Sequence, residues 1–307
     1  MKILVTGGAG FIGSHVVDTL IQANHTVTVV DDLSTGKREY LNPKATFYQL
    51  DICHADALAA LWEQEHPDCV IHCAAQVSVN YSVAKPIQDA QVNILGSINL
   101  LEFCRRFRLR KFVYVSTGGA LYGEPRYLPC DEAHPIDPLS PYGASKHAVE
   151  HYLYLYHQNF GLNYVVLRCA NVYGPRQDPF GEAGVVAIFT QRMLHNKQVV
   201  IYSTGEQQRD FIYVADVAQA CLLALEKGDG ALVNIGVGAG TSVNEIYRRL
   251  KALTSYPLEP RYDPPRPGEP FRVWLDVRRA KEVLGWEAEV SLEEGLKRTV
   301  EWFRGHK

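Results

Sequence analysis

Residues 3–13 read ILVTGGAGFIG, an apolar, β-branched run that leads through a glycine-rich turn into an amphipathic segment. Gly7, Gly10 and Gly13 allow a tight turn, close approach of a pyrophosphate to the backbone, and close packing of a helix on a sheet. Phe11 and Ile12 would begin that helix, whose free N–H groups and partial positive charge favour phosphates. The stretch therefore predicts a strand–turn–helix unit that binds a dinucleotide.

Alternating strand and helix patterns continue through the first half of the chain. Short apolar runs that favour buried strands occur at 3–6, 26–30, 45–50, 69–74, 111–116 and 163–168. Amphipathic segments typical of helices lie between them at 12–23, 55–65, 87–107 and 143–160. This alternation predicts an α/β fold with a doubly wound parallel Rossmann sheet.

The pattern weakens after residue 170. Segment 171–183 is loop-like and 257–270 is proline-rich, whereas 211–225 and 232–236 look like further strand–helix–strand material. We therefore expect two structural units. A dinucleotide-binding Rossmann domain would take residues 1–170 and regain 211–237, and a smaller C-terminal substrate-binding lobe would comprise 171–210 and 238–307.

Composition excludes several classes of function. The 307 residues are 47% hydrophobic and 21% charged, and the net charge of −3 gives no reason to expect a nucleic-acid surface. No apolar run is long enough to span a bilayer. Seven scattered cysteines do not resemble a disulfide framework, so we expect a cytoplasmic protein. His72 lies between Cys69 and Cys73, but no second ligand pair lies nearby, so we expect a core strand and no metal.

Asp31 stands at the end of the second predicted strand, 18 residues after Gly13. An acid in this place accepts hydrogen bonds from the adenosine ribose hydroxyls, although in isolation it would be interpreted as a turn cap. A carboxylate repels a 2′-phosphate, so Asp31 favours NAD over NADP. Lys37 and Arg38 are the cations nearest to such a phosphate, and we expect them to form a solvated turn.

Tyr142 and Lys146 form a Tyr-x-x-x-Lys pair at the start of a predicted helix, where their spacing places both side chains on one face. A free tyrosine has a pKa of about 10 and is a poor base at neutral pH. A neighbouring ammonium and the positive nicotinamide ring would favour the phenolate. Alone, such a pair is often coincidental; after a dinucleotide motif it predicts an acid–base site.

These residues, with further motifs, give the chain a resemblance that extends over nearly its whole length. It resembles the extended short-chain dehydrogenase/reductases, and among them the UDP-galactose (UDP-glucose) 4-epimerases. The matching pieces are TGGAGFIGSH, Asp31, Asp51-Ile52, IHCAAQ, Asn93-x-x-Gly96, SPYGASK, NVYGPRQ, QQRDFIYVADV, RPGE and the late D-x-x-R-A-x-x-x-L-G-W. Several of them are common to all nucleotide-sugar enzymes of the group.

The resemblance implies roles for individual residues. Tyr142 would take the proton of the sugar 4-hydroxyl while NAD oxidises C4, and the 4-keto sugar would turn over before it is reduced again. Lys146 would bind the nicotinamide ribose and lower the pKa of Tyr142. The remaining residues expected along the cofactor are Asp51 and Ile52 at the adenine, Ala74 and Ala75, Asn93, and Ser116.

One departure from the family pattern concerns the hydroxyl that assists the tyrosine. These epimerases carry Ser or Thr four positions before the tyrosine of a (V/L)-Tyr-Gly ending, and here that position is Gly118. Thr117, one residue earlier, supplies a hydroxyl if the paired glycines shift the loop. The alternatives are a water molecule in its place, or a Tyr142 that works without it. We expect Thr117 to be the third catalytic residue.

The UDP moiety needs cations or N–H donors for its diphosphate. The resemblance nominates Arg209 and Arg266, with Asn171 as another contact and Tyr202 as a platform for uracil. The residue before Trp274 limits the space at C2 of the sugar in this family. Here it is Val273, so N-acetylated hexoses are a further expected substrate.

Several readings remain open at this stage. The leading one is a UDP-hexose 4-epimerase, and the next is a 4-epimerase of UDP-glucuronate or a UDP-N-acetylhexosamine. A related decarboxylase or dehydratase follows, although Gly119 and Ala120 stand where dehydratases carry an Asp-Glu pair. A non-catalytic NAD(H)-binding scaffold is the alternative from another class. The resemblance also implies a homodimer formed through the helices predicted at 87–107 and 143–160.

Overall fold

The computed structural model describes residues 1–180, 184–265 and 270–306. Its strands are β1 (Lys2–Thr6), β2 (Thr26–Asp31), β3 (Thr46–Gln49), β4 (Cys69–His72), β5 (Lys111–Thr117), β6 (Tyr164–Cys169), β7 (Asn171–Tyr173), β8 (Val200–Tyr202), β9 (Gln208–Arg209), β10 (Phe211–Tyr213), β11 (Ala231–Ile235), β12 (Thr241–Ser242), β13 (Arg261–Asp263) and β14 (Arg272–Val273). Its α-helices are α1 (Phe11–Gln22), α2 (Ala55–Glu65), α3 (Val79–Ala84), α4 (Pro86–Ala90), α5 (Gly96–Arg106), α6 (Pro141–Phe160), α7 (Val185–Leu194), α8 (Val214–Ala224), α9 (Val243–Thr254), α10 (Arg278–Leu284) and α11 (Leu292–Gly305).

Seven strands form one parallel sheet in the order β11-β6-β5-β4-β1-β2-β3. The chain moves outward from β1 to β3 and then crosses back to β4, so the direction of winding reverses between β1 and β4. Ligands of such sheets bind at the carboxyl ends of the strands that flank this reversal. The predicted doubly wound Rossmann sheet is confirmed.

Helices cover both faces of the sheet, and this explains why the strands are nearly continuous apolar runs. On one face, α1 and α8 pack in a core with the buried side chains of β1, β5 and β6. On the other face, α2, α5 and α6 form a second core that contains Trp62, Phe103 and Tyr156. The helix that carries Tyr142 and Lys146 therefore has a fixed position against the sheet.

A third apolar core lies outside the sheet and unites β7, β8, β10, α7, α9 and α11. β7 pairs with β10, and short strands pair β9 with β12 and β14. β11, by contrast, pairs with β6 at the edge of the large sheet. The strand–helix–strand segment expected at 211–236 therefore contributes β10 to a small sheet, and α8 and β11 to the Rossmann unit.

The helix expected at 87–107 is present, and it contains a π-helical turn. Residues 86–106 form α4, a π-helical turn at Gln91–Leu95, and then α5. A side chain at Gly96 would approach the Ile52 side chain to 2.8 Å, so the segment passes close to the loop after β3. Asn93 is buried within the π-turn, a kind of irregularity that often occurs beside functional sites.

His72 is a structural core residue, as expected, and the described residues hold no cluster of metal-ligating type. Its two ring nitrogens lie 2.6 Å from the Thr6 hydroxyl and 2.9 Å from the Ser97 hydroxyl. Burial lowers the pKa of His72 to about 3, so the imidazole is neutral. Among the described helices, none is long and apolar enough to cross a membrane.

Candidate active site

The glycine turn lies at the reversal point of the sheet, between β1 and α1. Gly7 has a φ of +70°, and a Cβ atom there would lie 2.6 Å from the backbone nitrogen of Ala74. A Cβ atom at Gly13 would lie 2.1 Å from the Gly7 carbonyl oxygen. Gly10 caps α1 without a side-chain hydrogen bond, and the first turn carries no acidic residue. The first N–H groups of the helix, at Phe11 and Ile12, therefore suit a phosphate.

Asp31 ends β2 beside this turn. One carboxylate oxygen accepts a hydrogen bond from the backbone of Ala9 at 2.9 Å and the other accepts one from Leu33 at 2.9 Å. Burial raises the pKa of Asp31, and these two bonds partly offset that effect. Gly36 was not predicted: its missing side chain matters because a Cβ atom would lie 2.6 Å from an Asp31 oxygen. Only its position, five residues after the acid, hinted at this role.

The cations that follow Asp31 are engaged elsewhere. The Lys37 ammonium lies 3.8 Å from Glu39, and both side chains are exposed. The Arg38 guanidinium donates a 2.8 Å hydrogen bond to the Gln49 side chain at the surface. This agrees with a solvated turn, and the binding of a ribose by the Asp31 carboxylate stays a prediction.

The other residues expected at the cofactor follow the carboxyl ends of β3 and β4, on the same edge as the glycine turn. Asp51 accepts a 2.8 Å hydrogen bond from the backbone of Cys53 and shapes the turn after β3. Ile52 is buried, and its carbonyl oxygen accepts from Asn99 at 3.1 Å. Ala74 and Ala75 are half-buried, and the Ala74 backbone lies against Gly7.

Asn93 and Ser116 use their polar side-chain atoms within the protein. Asn93 accepts from the Gln76 backbone at 2.8 Å, and its amide donates to Asp89 at 3.1 Å and to the Ser145 hydroxyl at 3.1 Å. The Ser116 hydroxyl donates to the Glu150 carboxylate at 2.6 Å. Both side chains thus support the walls of the site, and their contact with a cofactor stays a prediction.

Tyr142 and Lys146 lie in the first two turns of α6, which begins after a Ser140 cap. The Thr117 side chain is close enough to the Tyr142 phenol to oppose the rise of its pKa. The Lys146 ammonium donates a 2.7 Å hydrogen bond to the Val115 carbonyl and lies 4.1 Å from the centre of the Tyr114 ring. The end of β5 and the start of α6 therefore bring the three expected catalytic side chains together.

Burial controls the acid–base character of this group. It raises the pKa of Tyr142 to about 12, against the opposing effect of the Thr117 side chain, and it lowers the pKa of Lys146 to about 8. The lowered pKa predicted for Tyr142 depends on a bound nicotinamide ring; in the protein by itself, desolvation of the phenolate is the larger effect on the pKa. A positive charge beside the phenol would favour the phenolate and so oppose the effect of burial on the pKa of Tyr142.

The loop after β5 has no room for a side chain at position 118, where the family carries its Ser or Thr, and this accounts for the expected use of the Thr117 hydroxyl instead. A Cβ atom at Gly118 would lie 2.6 Å from the Leu275 side chain and 3.2 Å from the Arg168 carbonyl oxygen. Serine or threonine therefore does not fit at 118 without displacing Leu275, which sequence reasoning did not identify. At Gly119, a Cβ atom would lie 3.3 Å from the Asn171 side-chain oxygen, which places Asn171 beside the catalytic loop.

Four of the expected substrate residues, Asn171, Tyr202, Arg209 and Val273, lie on short strands outside the large sheet. Arg209 in β9 is paired with Val273 in β14, and its guanidinium donates to the Gln208 carbonyl at 2.9 Å. Val273 is buried, as is Leu275 two residues later, and Leu275 faces the catalytic loop. Tyr202 is half-buried at the end of β8. Arg266 lies outside the described residues.

The model of the NAD dependent epimerase/dehydratase family matches residues 3–236. The chain belongs to this family. The glycine cradle, the uncapped start of α1 and the Asp31 carboxylate fit a dinucleotide, and NAD, the cofactor expected from Asp31, is the one in the family's name.

Individual relatives match over the full length. A UDP-glucose 4-epimerase of Mycolicibacterium smegmatis is 44% identical over 99% of both sequences. The structure of a Thermotoga maritima UDP-glucose 4-epimerase with UDP-glucose is 53% identical, with a TM-score of 0.98 over 100% of this chain and 99% of that one. A Thermus thermophilus UDP-glucose 4-epimerase in complex with NAD is 43% identical, with a TM-score of 0.95 over 100% of both chains.

The cradle gives a direct test of cofactor binding. We expect Gly13→Ala to abolish retention of NAD, because the added methyl group collides with the Gly7 carbonyl. The measurement is the amount of nucleotide released from denatured protein, quantified by chromatography. Gly305→Ala is the matched control, since a Cβ atom there meets nothing within 4 Å. Equal nucleotide content in the two variants would contradict this role of the glycine turn.

Proposed function

We propose that this chain is a UDP-hexose 4-epimerase that interconverts UDP-galactose and UDP-glucose through a 4-keto intermediate, with tightly bound NAD. The observation that carries the proposal is the placement of Tyr142 and Lys146 in the first two turns of α6, with Lys146 fixed by a 2.7 Å hydrogen bond to the Val115 carbonyl and Thr117 beside the phenol. This acid–base group lies at the end of β5 and the start of α6, two strands from the glycine turn after β1, and relatives 44% and 53% identical are UDP-glucose 4-epimerases.

The residues of the chain divide the work of such a reaction. Tyr142 removes the proton of the sugar 4-hydroxyl and returns it after the keto sugar has turned over. Thr117 holds the phenol and opposes the rise of its pKa, and Lys146 binds the nicotinamide ribose. A bound NAD would supply the acceptor for the C4 hydride and, in its reduced form, the donor that returns it, and its oxidised ring would add positive charge beside the phenol. Gly119 and Ala120 offer no acid for the elimination step of a dehydratase.

One unit of the fold would bind the cofactor and the other would bind the UDP-sugar. We assign the cofactor to residues 1–170 and 211–237, and the UDP-sugar to 171–210 and 238–307. Arg209 and Arg266 would neutralise the diphosphate, Asn171 would contact the substrate beside the catalytic loop, and Tyr202 would stack on uracil. All seven cysteines are free thiols, which fits a place in cytoplasmic galactose metabolism.

The decisive experiment is incubation of the purified protein with UDP-galactose and no added NAD. We expect a mixture in which UDP-glucose predominates, measured by chromatography. Tyr142→Phe should lower kcat by about 10³-fold or more, because the acid–base hydroxyl is lost.

Tyr247→Phe is the matched control for that variant. It removes another buried phenol, one that donates to the Leu258 carbonyl in the third core, and it should keep full activity.

Absence of conversion, even with added NAD, would reject UDP-galactose as the substrate. UDP-glucuronate would then be tried, with release of CO₂ marking a decarboxylase. Tight binding of NADH without any turnover would favour a scaffold.

The size of the side chain at position 273 would limit the space at C2 of the sugar. Because Val273 is not bulky, we propose that UDP-N-acetylglucosamine is also a substrate. Val273→Tyr should lower kcat/KM for the N-acetylated sugar at least about tenfold more than for UDP-glucose, because a larger ring fills the space of the acetamido group. Val273→Ala should retain both activities. A wild-type enzyme that epimerises UDP-glucose but not UDP-N-acetylglucosamine would show that this pocket is closed.

We also propose a homodimer through α3, α4, α5 and α6. Of these helices, α3, α4 and α6 expose large apolar side chains, among them Val83 (62%), Ile87 (69%) and Phe160 (54%). Sedimentation should give twice the chain mass of 34.4 kDa, and Ile87→Glu should give monomers because a buried charge disfavours association. Leu258→Glu, an exposed site on the other lobe, is the control. A monomeric wild-type protein would contradict the proposal.

A further inference from the structure

The loop from Thr117 to Leu121 carries the catalytic hydroxyl but has little means of holding itself in place. Gly118 and Gly119 have no side chains, and glycine has the greatest backbone freedom of all residues. The Thr117 hydroxyl must nevertheless stay within hydrogen-bond reach of Tyr142, because a small displacement of a catalytic group costs much of its effect. The two residues that flank the loop, Ser116 and Tyr122, are both buried and both hydrogen-bonded.

The start of the loop is tied to the catalytic helix. The Ser116 hydroxyl donates to Glu150 at 2.6 Å, and Glu150 lies four residues beyond Lys146 on the same face of α6. The Glu150 carboxylate is 3% exposed, and burial favours its neutral form. Hydrogen bonds from His147 and Arg168 and the charge of Arg168 outweigh burial and lower its pKa, so this carboxylate is ionised.

The end of the loop is tied to the same carboxylate through Arg168. Arg168, in β6 and 3% exposed, donates to Glu150 from Nη2 at 2.7 Å and from Nε at 3.2 Å. Its Nη1 atom donates to the Tyr122 hydroxyl at 3.1 Å. The Tyr122 hydroxyl in turn donates to the side-chain oxygen of buried Asn234 at 2.8 Å. One buried ion pair thus holds both ends of the glycine loop.

We propose that the Glu150–Arg168 ion pair, with Ser116 and Tyr122, is a positioning device that fixes Thr117 against Tyr142. The inference rests on the proposed function. Glu150 and Tyr142 belong to the same helix, α6. The ion pair therefore fixes the position of the loop, and of Thr117 in it, relative to Tyr142. A directional network of this kind specifies one geometry more strictly than apolar contacts do. The four residues are positioning residues and touch no reacting atom.

The Tyr122 hydroxyl offers the cleanest test, because its removal leaves the ion pair intact. Tyr122→Phe should lower kcat for UDP-galactose about tenfold with little change in KM, since the loop end is released while the substrate contacts remain. In a Thr117→Ala background the same change should have almost no further effect, because there is no hydroxyl left to position. The readout is kcat for the four members of this double-mutant cycle.

Tyr256→Phe is the matched control, because that buried phenol also has two partners, the Lys197 carbonyl and the Val199 amide. It should lower the melting temperature to a similar extent and leave kcat unchanged. If Tyr122→Phe does not fold, Ser116→Ala releases the other end of the loop and enters the same cycle. Unchanged kcat in Tyr122→Phe, or an equal loss with and without Thr117, would overturn the inference. A wild-type protein without epimerase activity would instead overturn the proposed function, and this inference with it.

Discussion

The close approach of two backbones at the reversal of the sheet is the constraint on which the rest of the molecule depends. Gly7 and Ala74 follow β1 and β4, and no side chain fits between them. This contact allows α1 to begin directly over the carboxyl edge of the sheet, with its N–H groups unengaged by side chains. Asp31 at the end of β2 and Thr117 at the end of β5 lie on that same edge because parallel strands all end there.

Helix α6 converts this edge into a site for proton transfer. Tyr142, Lys146 and Glu150 recur every four residues on one face, so a phenol, an ammonium group and a carboxylate follow one another from the cleft into the core. Burial raises the pKa of Tyr142 and lowers that of Lys146, so desolvation alone favours the neutral form of both. Charge brought by a cofactor is then well placed to activate the phenol, which links chemistry to cofactor binding.

Residues from beyond the first 170 positions fill space around the glycine loop after β5. The Leu275 side chain occupies the place of a side chain at Gly118, and the Asn171 amide lies beside Gly119. Asp210 accepts hydrogen bonds from the backbones of Val237 and Leu275, at 2.8 and 3.3 Å, and so fixes the segment that carries Leu275. The expected catalytic hydroxyl stands at Thr117, one residue before its usual place in the family. At that usual place, Gly118, the side chain of Leu275 fills the space from a distant part of the chain.

The sequence by itself determined the sheet, the cofactor class and the Tyr142–Lys146 pair, because these depend on local patterns: apolar periodicity, glycines that no other residue replaces, and helical spacing. The sequence also nominated Thr117 as the hydroxyl that assists Tyr142, but the local pattern could not show whether the two side chains lie close together. The approach of Thr117 to Tyr142, the Leu275 contact at Gly118, the hydrogen bond from Asn93 to Ser145 and the Glu150–Arg168 pair join residues far apart in the chain. Only the tertiary structure decided them, because burial and packing between distant segments leave no signal in the spacing of residues.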